Sequence, residues 1–481
     1  MSHMTPLGDP IGAPVENWKT CPLPPRQAIH GKYVRLEPIS ADAHTDDLFE
    51  AFSADPDGAN WTHRMNGPYP TRAALHDWLV EIEDKPDMIY FAYVDRATGK
   101  ALGNGAFMSM APTAGSIEVG SIMFAPALQR TRAATETMYL KMRWAFENGY
   151  RRYEWTCDPL NAASMGAAER FGFTYEALFR QAYVTKGRNR DKAIFAITDR
   201  DWPKVRAAFE TWLAEDNFDA DGVQKTSLRA LAAPSVHART APVDHGLRNH
   251  LGQPVDHEVT DWVAPPRPER FTLEGRYCRL KPLSIDHAQA LHAAHSRDTE
   301  GRNWTYLPDG PFESEAAYAK WVEGAAASED PLHYTIVTDQ GPVGTASFLR
   351  IAPEASSIEV GYITFSPLLQ RTVASTEAMF LMMKWAYEAG YRRYEWKCNA
   401  LNGPSRKAAQ RLGFSYEGVF RQTQITKGRN RDTAWYGSID SEWPALKVAF
   451  ETWLAPKNFD ADGKQRQSLT DLTRPVLVAE G

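Results

Sequence analysis

Hydrophobic and polar positions alternate along the chain with two different periods, which predict where strands and helices lie. Residues 33–38 alternate as a strand, and two helical stretches follow, the second at residues 73–82. Three short strands come next, at residues 89–94, 101–110 and 116–124, separated by turn signals. We expect these three strands to form an antiparallel meander.

A long helical stretch follows the meander. It covers residues 131–148 and ends before Gly149. Residues 150–157 form the next predicted strand, and the order strand, helix, strand predicts a right-handed crossover to a parallel neighbour. The unit is completed by a short helix at 162–171, strand candidates at 175–185 and 193–198, and a helix at 202–213.

The same order of elements returns later in the chain because the sequence is duplicated. Residues 116–120 recur at 357–361, and residues 186–191 recur at 427–432, both at an offset of 241. Upstream, the offset changes to 243 at Trp61 against Trp304. Each unit is long enough to have its own core, so the repeat predicts two domains and not a solenoid. An Ala- and Pro-rich linker places the boundary near residue 240, which gives domains at 1–240 and 241–481.

The overall composition narrows the class of protein. The 481 residues are 43% hydrophobic and 24% charged, as in globular proteins and unlike disordered ones. A formal net charge of -6 argues against a general nucleic-acid binder. The four cysteines are far apart without CxxC spacing, which predicts neither a zinc site nor a disulfide framework and favours the cytoplasm. The sequence contains no run of 18 apolar residues, so it predicts no membrane span.

Three short motifs occur in both units. These are Glu-Val-Gly at 118–120 and 359–361, Gln-Arg-Thr at 129–131 and 370–372, and Asn-x-x-Ser at 161–164 and 402–405. In this order of elements, the motifs resemble the GNAT N-acetyltransferases, and within them the group that includes the ribosomal-protein N-terminal acetyltransferases. The resemblance implies an α/β fold of two GNAT-like domains, each a mixed, mostly antiparallel sheet flanked by helices. It also implies a splayed strand pair that receives the pantetheine arm of CoA.

The resemblance further implies acetyl-CoA as the acyl donor, and no metal. Because a helix N-terminus has unpaired N–H groups and partial positive charge, we expect the pyrophosphate at the start of the long helix. The expected CoA-binding residues are Gln129, Arg130, Thr131, Arg132, Ala133, Ala134 and Asn161, and in the second unit Gln370, Arg371, Thr372, Val373, Ala374, Ser375 and Asn402. The family's first glycine position holds Arg132 and Val373, and side chains there crowd the phosphate. Since the last position is Ala134 in one copy and Ser375 in the other, we expect the better CoA site in the first unit.

Acetylation of an amine needs a base for the amine and an acid for the departing thiolate. Glu118 and Glu359 are the candidate bases. The resemblance implies that the serine of each Asn-x-x-Ser motif lies near the thiolate, which makes Ser164 and Ser405 the candidate acids or hydrogen-bond donors. A glutamate on a strand can instead face solvent or pair with arginine. Each serine can instead cap the following helix.

Other polar and sulfur-containing residues have simpler interpretations. Asn161 and Asn402 can cap the same short helices as the serines. Cys157 and Cys398 are expected to be small core residues, because no neighbour in sequence lowers the pKa of either thiol. The basic turns at 186–190 and 427–431 are expected to face solvent, although they could also contact CoA phosphates or an acidic substrate.

The sequence therefore predicts a cytoplasmic N-acetyltransferase that transfers acetyl from acetyl-CoA to a small-molecule, amino-acid-derived or peptide amine. We expect no nucleic-acid or membrane partner, and we expect the halves to pack as an intramolecular pseudo-dimer. Three alternatives remain open. They are a longer acyl group, an aminoacyl-tRNA donor, and an acyl-CoA sensor or pseudoenzyme in one or both halves.

Overall fold

A computed structural model describes residues 3–481, and the elements of the first half follow the predicted order. They are β1 (Val34–Pro38), α1 (Ala41–Ser53), α2 (Arg72–Glu83), β2 (Ile89–Asp95), β3 (Ala101–Ala111), β4 (Ser116–Phe124), α3 (Arg132–Glu147), β5 (Arg152–Cys157), α4 (Ala162–Arg170), β6 (Thr174–Thr185), β7 (Arg188–Thr198), α5 (Trp202–Leu213) and α6 (Leu228–Ala232). The prediction for β4 has the observed bounds, whereas β7 begins at Arg188 and not at 193, and α6 was not predicted.

The second half repeats these elements. They are β8 (Arg279–Pro282), α7 (Ala288–His295), α8 (Glu315–Ala327), β9 (Leu332–Thr338), β10 (Gly341–Ala352), β11 (Ser357–Phe365), α9 (Val373–Glu388), β12 (Arg393–Asn399), α10 (Gly403–Arg411), β13 (Ser415–Thr426), β14 (Arg429–Ile439), α11 (Trp443–Leu454) and α12 (Leu469–Thr473). Two-residue strands at Ile29–His30 and Leu273–Glu274 pair with β1 and β8.

Within residues 3–481, the strands of both halves join in one sheet of 16 strands. Between the two short edge strands, the order is β8-β9-β10-β11-β12-β14-β13-β6-β7-β5-β4-β3-β2-β1. The pairs β4–β5 and β11–β12 are parallel, and their neighbours in the sheet are antiparallel. The predicted fold class, a mixed and mostly antiparallel sheet flanked by helices in each half, is confirmed.

A lysine side chain lies in the core of the first half. Lys141 on α3 is fully buried, with its Nζ 4.6 Å from the ring centroid of Phe107 and without a hydrogen-bond partner in the described part of the chain. Burial lowers the pKa of Lys141 well below its usual value, because a buried ammonium loses its hydration. The second half has Met382 at the equivalent position, so the two cores have diverged.

The two halves meet where β6 pairs with β13. Ala177 pairs with Gly418, which is its own equivalent at the offset of 241, and the ring of Phe179 stacks on its equivalent Phe420 at 5.5 Å. A Cβ at Gly418 would lie 2.0 Å from the carbonyl oxygen of Glu176, so a larger residue would force the two strands apart.

Ion pairs join the halves on either side of this pairing. Arg180 donates to Glu442 at 2.5 Å, and the same contact with the halves exchanged joins Arg421 to Asp201 at 2.8 Å. The two arginines are equivalent positions, and so are the two acids. These contacts therefore repeat across the joint, as the contacts of an isologous interface do.

The segment before each half crosses to the opposite half. We call residues 3–16 the first arm and residues 247–259 the second arm. The N–H of Asn430 donates to the carbonyl of Ala13 in the first arm at 2.9 Å, and the N–H of Asn189 donates to the carbonyl of His257 in the second arm at 3.0 Å. The expectation that the basic turns face solvent is therefore wrong for Asn189, which is buried beneath the second arm.

Candidate active site

The two strands that form the parallel pair in each half separate after a short run of pairing. β11 pairs with β12 only from Ser357 to Glu359, and β4 pairs with β5 only from Ser116 to Val119. Just beyond these points, Tyr362 and Ser121 have left-handed φ values of 47° and 50°, beside shifts of register against the preceding strand. Such bulges bend a strand and change its direction. The result is the predicted splayed pair.

In the second half, the space where β11 and β12 separate, which we call the gap, opens into a cleft of about 1470 Å³. We call it the second cleft. Its walls are the diverging parts of β11 and β12, the first turn of α9 and the start of α10. Most of the second-half candidates line it, namely Glu359, Gln370, Arg371, Thr372, Val373, Ser375, Asn402 and Ser405. Ala374 is the exception among the second-half candidates, because it packs in the core behind the cleft.

The start of α9 presents backbone donors to the cleft. Thr372 is the N-cap, and its Oγ1 accepts from the N–H of Ser375 at 3.1 Å. The N–H groups of Val373 and Ala374 have no hydrogen-bond partner within residues 3–481. Arg371, just before the cap, has a φ of 60°. This arrangement suits a phosphate group, because free N–H groups and the helix dipole both favour an anion.

The long helix of the first half, α3, has the same type of N-cap, but different side chains lie over its first turn. Thr131 caps α3 by accepting from the N–H of Ala134 at 3.1 Å. The guanidinium of Arg132, however, lies 3.5 Å from the ring centroid of Phe218. The equivalents in the second half, Val373 and Phe459, both line the cleft. The smaller residue therefore leaves the aromatic ring accessible from the second cleft.

The two candidate bases lie in different electrostatic environments. Glu118 is buried and accepts hydrogen bonds from the hydroxyl groups of Ser109, at 2.8 Å, and Thr156. At the equivalent positions of the second half stand Arg350 and Lys397, and each places a nitrogen 3.2 Å from Oε2 of the buried Glu359. Neutral donors in one half are thus replaced by cations in the other.

Burial and charge act in opposite directions on Glu359. Burial raises the pKa of Glu359 to about 6, although Lys397 and Arg350 lower it. Burial also lowers the pKa of Lys397. A carboxyl group with a pKa near 6 is ionised at neutral pH and close enough to it to accept a proton from a reacting group.

The asparagines and serines of the short helices have separate roles. Asn402 caps α10 by accepting from the N–H of Ser405 at 3.2 Å, and Asn161 caps α4 in the same way. The hydroxyl of Ser405 accepts from Nε1–H of Trp396 at 3.1 Å. Because the indole N–H uses an oxygen lone pair, the hydroxyl hydrogen of Ser405 remains available to donate. Ser164 has the same contact with Trp155.

The two cysteines beside these serines are buried. Burial raises the pKa of Cys157 to about 12 and also raises that of Cys398. Neither thiol is therefore ready to act as a nucleophile at neutral pH.

Sequence reasoning missed several residues that line the second cleft. Lys397 and Tyr362 come from the second half itself, and Asp9 and Pro10 come from the first arm. Arg431 also lines the cleft, and it belongs to the basic turn at 427–431, for which the sequence left contact with CoA phosphates or an acidic substrate open. A signal for Lys397 existed in the repeat, because a cation replaces Thr156 beside the candidate base. The contribution of the first arm had no such signal, since it depends on contacts across almost 300 positions of sequence, such as Tyr306 Oη to the Pro10 carbonyl at 2.8 Å.

A partly buried arginine occupies the corresponding region of the first half. Arg64 donates to the carbonyl oxygens of Ser121 and Ile122, on the part of β4 that has separated from β5. Burial lowers the pKa of Arg64 to about 10. Its equivalent at the offset of 243, Leu307, lines the second cleft. The halves therefore differ on the acceptor side of the gap.

Three potential metal ligands lie together away from the clefts. Asp191, His245 and Asp256 place ligand atoms within 4.8 Å of one another. The amide of Asn189 already donates to both carboxylates, at 3.1 Å and 2.6 Å. This amide holds the two carboxylates beside each other, and Arg392 in turn donates to Oδ1 of the same asparagine at 3.1 Å.

Comparisons with known proteins agree with this geometry. The profile of the family described as Acetyltransferase (GNAT) domain matches residues 34–174 and 278–415. No curated protein matches the chain. Among the described residues, no helix is long and apolar enough to cross a lipid bilayer.

Several solved structures are similar to the chain. One is a GCN5-related N-acetyltransferase from Brucella melitensis, with 44% identity over 44% of this chain and 99% of that chain and a TM-score of 0.44. A second is a probable acetyltransferase of the GNAT family from Chromobacterium violaceum, with 38% identity over 42% of this chain and 98% of that chain and a TM-score of 0.38. A third is the ribosomal L7/L12 alpha-N-protein acetyltransferase RimL in complex with coenzyme A, with 22% identity over 36% of this chain and 99% of that chain and a TM-score of 0.32.

Proposed function

Because the chain belongs to the GNAT acetyltransferase family through both of its matched segments, we propose that it transfers an acetyl group from acetyl-CoA to a primary amine. The observation that carries the proposal is the single cleft that joins the first turn of α9 to Glu359 and Ser405. One end offers donors for a pyrophosphate, and the other end offers a base and an acid. Acyl transfer from CoA to an amine needs these groups together.

The first turn of α9 would hold the donor. The guanidinium of Arg371 and the N–H groups of Val373 and Ala374 would bind the pyrophosphate. The backbone of β11 beyond Gly361 has no strand partner on the side of the gap, so it can pair with the amide groups of pantetheine. When bound, acetyl-CoA supplies a thioester carbonyl as the electrophile.

Glu359 and Ser405 would move the protons. Glu359 accepts a proton from the acceptor ammonium, directly or through one water, which leaves a neutral nitrogen as nucleophile. The C–N bond forms and the C–S bond breaks at the same carbonyl carbon. The hydroxyl of Ser405 donates to the departing sulfur and regains a proton from the acylated nitrogen. The net products are an amide, a thiol and one proton.

We place turnover in the second half. The sequence favours the first unit as the better CoA site, because it keeps Ala134. The structural contrast supports the second half, since Arg64 covers the carbonyls of β4 and Leu307 leaves the cleft open. The joint between β6 and β13 would then act as a pseudo-dimer interface that supports one active cleft.

A second function is supported by the same contrast. The first half keeps the helix cap at Thr131, and Arg64 covers the carbonyl groups of β4 on the acceptor side. In this alternative, the first half binds acyl-CoA without turnover, as a sensor or pseudoenzyme. A longer acyl group in the second half is a further variant, which donors of increasing chain length would test.

The test is release of CoA thiol from acetyl-CoA with a panel of amines. Glu359→Gln should lower kcat by about 100-fold or more, as loss of general base catalysis does, and Glu118→Gln should leave it within about 3-fold. Ser405→Ala and its counterpart Ser164→Ala form a second matched pair with the same expectation. Activity that survives Glu359→Gln and disappears in Glu118→Gln would place the chemistry in the first half.

A further inference from the structure

One face of the second cleft carries an arginine, Arg431, that has no partner within residues 3–481. Arg431 lies on β14, two residues before Thr433, which pairs with Asn399 at the end of β12. Trp435, two residues further along, pairs with Lys397. Directly opposed residues share a face of the sheet, and so do alternate residues of one strand. Arg431 therefore shares a face with Lys397.

That face is opposite α9. The residues that alternate with the charged ones, Trp396, Cys398 and Ala434, pack in the core together with Met379 of α9. The phosphate donors at the start of α9 are therefore separated from Arg431 by the sheet and the gap. Arg431 is thus on the side from which an acceptor reaches the thioester.

Among the described residues, the acids nearest Arg431 on this face form their ion pairs with other cations. Glu359 is matched by Lys397 and Arg350, each at 3.2 Å. Glu395 is matched by Arg393 at 2.7 Å. The guanidinium of Arg431 has neither a hydrogen bond nor an ion pair with any residue of 3–481, and its Nε is buried.

The equivalent arginine of the first half is different. Nη1 of Arg190 lies 3.0 Å from Sδ of Met65, and Pro308 stands at the equivalent of Met65. The sulfur that contacts Arg190 is thus missing beside Arg431, although both residues are part of the same repeated turn sequence. A partly buried cation without a partner is costly unless a ligand supplies an anion.

We propose that the second cleft accepts an amine that carries an anionic group, a carboxylate or a phosphate, and that Arg431 binds this group. The inference rests on the proposed function, because it assigns the acceptor of that same cleft. Arg431 donates paired N–H groups in the geometry that carboxylates and phosphates match. The ammonium of the same molecule then faces Glu359.

The experiment uses the full chain, Arg431→Gln and the matched control Arg190→Gln. Probes are α-amino acids against their amides, for the carboxylate, and phosphoethanolamine against ethanolamine, for the phosphate. Thiol release from acetyl-CoA gives kcat/KM for each amine. The change of Tm in the presence of CoA gives binding of the same amines without turnover.

We expect the full chain to prefer the anionic member of one pair by about 10- to 100-fold in kcat/KM, the usual size of a charged hydrogen bond. Arg431→Gln should remove this preference by lowering kcat/KM for the anionic amine and not for its neutral counterpart. Arg190→Gln should keep the preference. The pair that shows the preference identifies the carboxylate or the phosphate.

Three results would overturn the inference. The first is an equal kcat/KM for the anionic and neutral amines of both pairs. The second is the same loss of preference in Arg190→Gln, and the third is an equal loss of kcat/KM for anionic and neutral amines in Arg431→Gln. Turnover of neutral amines without preference would overturn it and leave the proposed function standing. Conversely, an anion-dependent rise of Tm that Arg431→Gln removes, without thiol release from any amine, supports the anion site and contradicts the acetyltransferase assignment.

Discussion

Exchanging Lys397 for the first half's residue tests how the protein sets the basicity of Glu359. The change is Lys397→Thr, which removes a cation 3.2 Å from Oε2 and supplies a hydroxyl like that of Thr156. At this distance and an effective dielectric constant of about 20, the attraction between the Lys397 ammonium and the Glu359 carboxylate is about 5 kcal/mol. This figure is an upper limit for the effect of the exchange, because Arg350 still stabilises the carboxylate. Loss of one close cation typically raises a carboxyl pKa by roughly 1 to 3 pH units.

The groups that face Glu359 determine how the result is read. They are Lys397, Arg350, Glu395 and Arg431, of which the exchange removes only the first. From a pKa of about 6, the variant should therefore titrate at roughly 7 to 9. A general base must be ionised, so kcat/KM is lost as pH falls through the pKa.

The assay is the pH profile of kcat/KM by thiol release. The full chain should show an acid limb near pH 6. The variant should show this limb about 1 to 3 pH units higher, as expected for the loss of one cation, and the two should have equal rates at high pH. The reciprocal change Thr156→Lys should leave the limb in place. An unmoved limb would refute the reasoning, and inactivity of Lys397→Thr at every pH would identify Lys397 itself as the base.

Three further changes test the fold and the donor site. Lys141→Met should raise the free energy of unfolding at pH 7 by about 1 to 3 kcal/mol, the usual cost of burying a polar group without a hydrogen bond, and raise Tm with it. It should also reduce the rise of stability with increasing pH in the parent, because the lowered pKa of Lys141 makes the unfolded state bind more protons below the ordinary pKa of lysine; a Tm equal to or below the parent's contradicts this. Gly418→Ala should destabilise by about 1 to 3 kcal/mol in thermal unfolding, through the contact with Glu176, and an unchanged Tm would show that the joint adapts. Arg371→Ala should remove most of the rise in Tm caused by acetyl-CoA, whereas Arg130→Ala should not; the opposite order would place the donor in the first half.

Local patterns in the sequence predicted most of the fold. The bounds of β4 follow from the pattern at 116–124, and the predicted start of the long helix at 131 lies one residue before the observed start at Arg132. Both signals depend on neighbours in sequence. The segment after residue 232, expected as a linker, instead packs on the first half, where Nε2 of His237 lies 2.8 Å from Asp201. Such contacts have no periodic signature.

The sequence predicted the individual site residues, but it did not predict how the surroundings of these residues differ between the two halves. The glutamates and serines lie in motifs that resemble those of the GNAT family, and this resemblance made them candidates in both copies. The cations around Glu359 come from three strands, and the arginine that covers β4 comes from the connection between α1 and α2. Their convergence depends on register and on chain path, which residue patterns do not encode.

The pairing of Ala177 with its own equivalent, Gly418, has a consequence for how the protein can change over generations. In a dimer of identical chains, one codon specifies both residues at a two-fold axis, so every substitution there occurs twice at one point. In a fused chain each side has its own codon, and an alanine can face a glycine where two alanines would collide. The same independence applies away from the axis. One copy can therefore acquire a cation such as Lys397 while the other keeps its threonine and still provides the supporting strand.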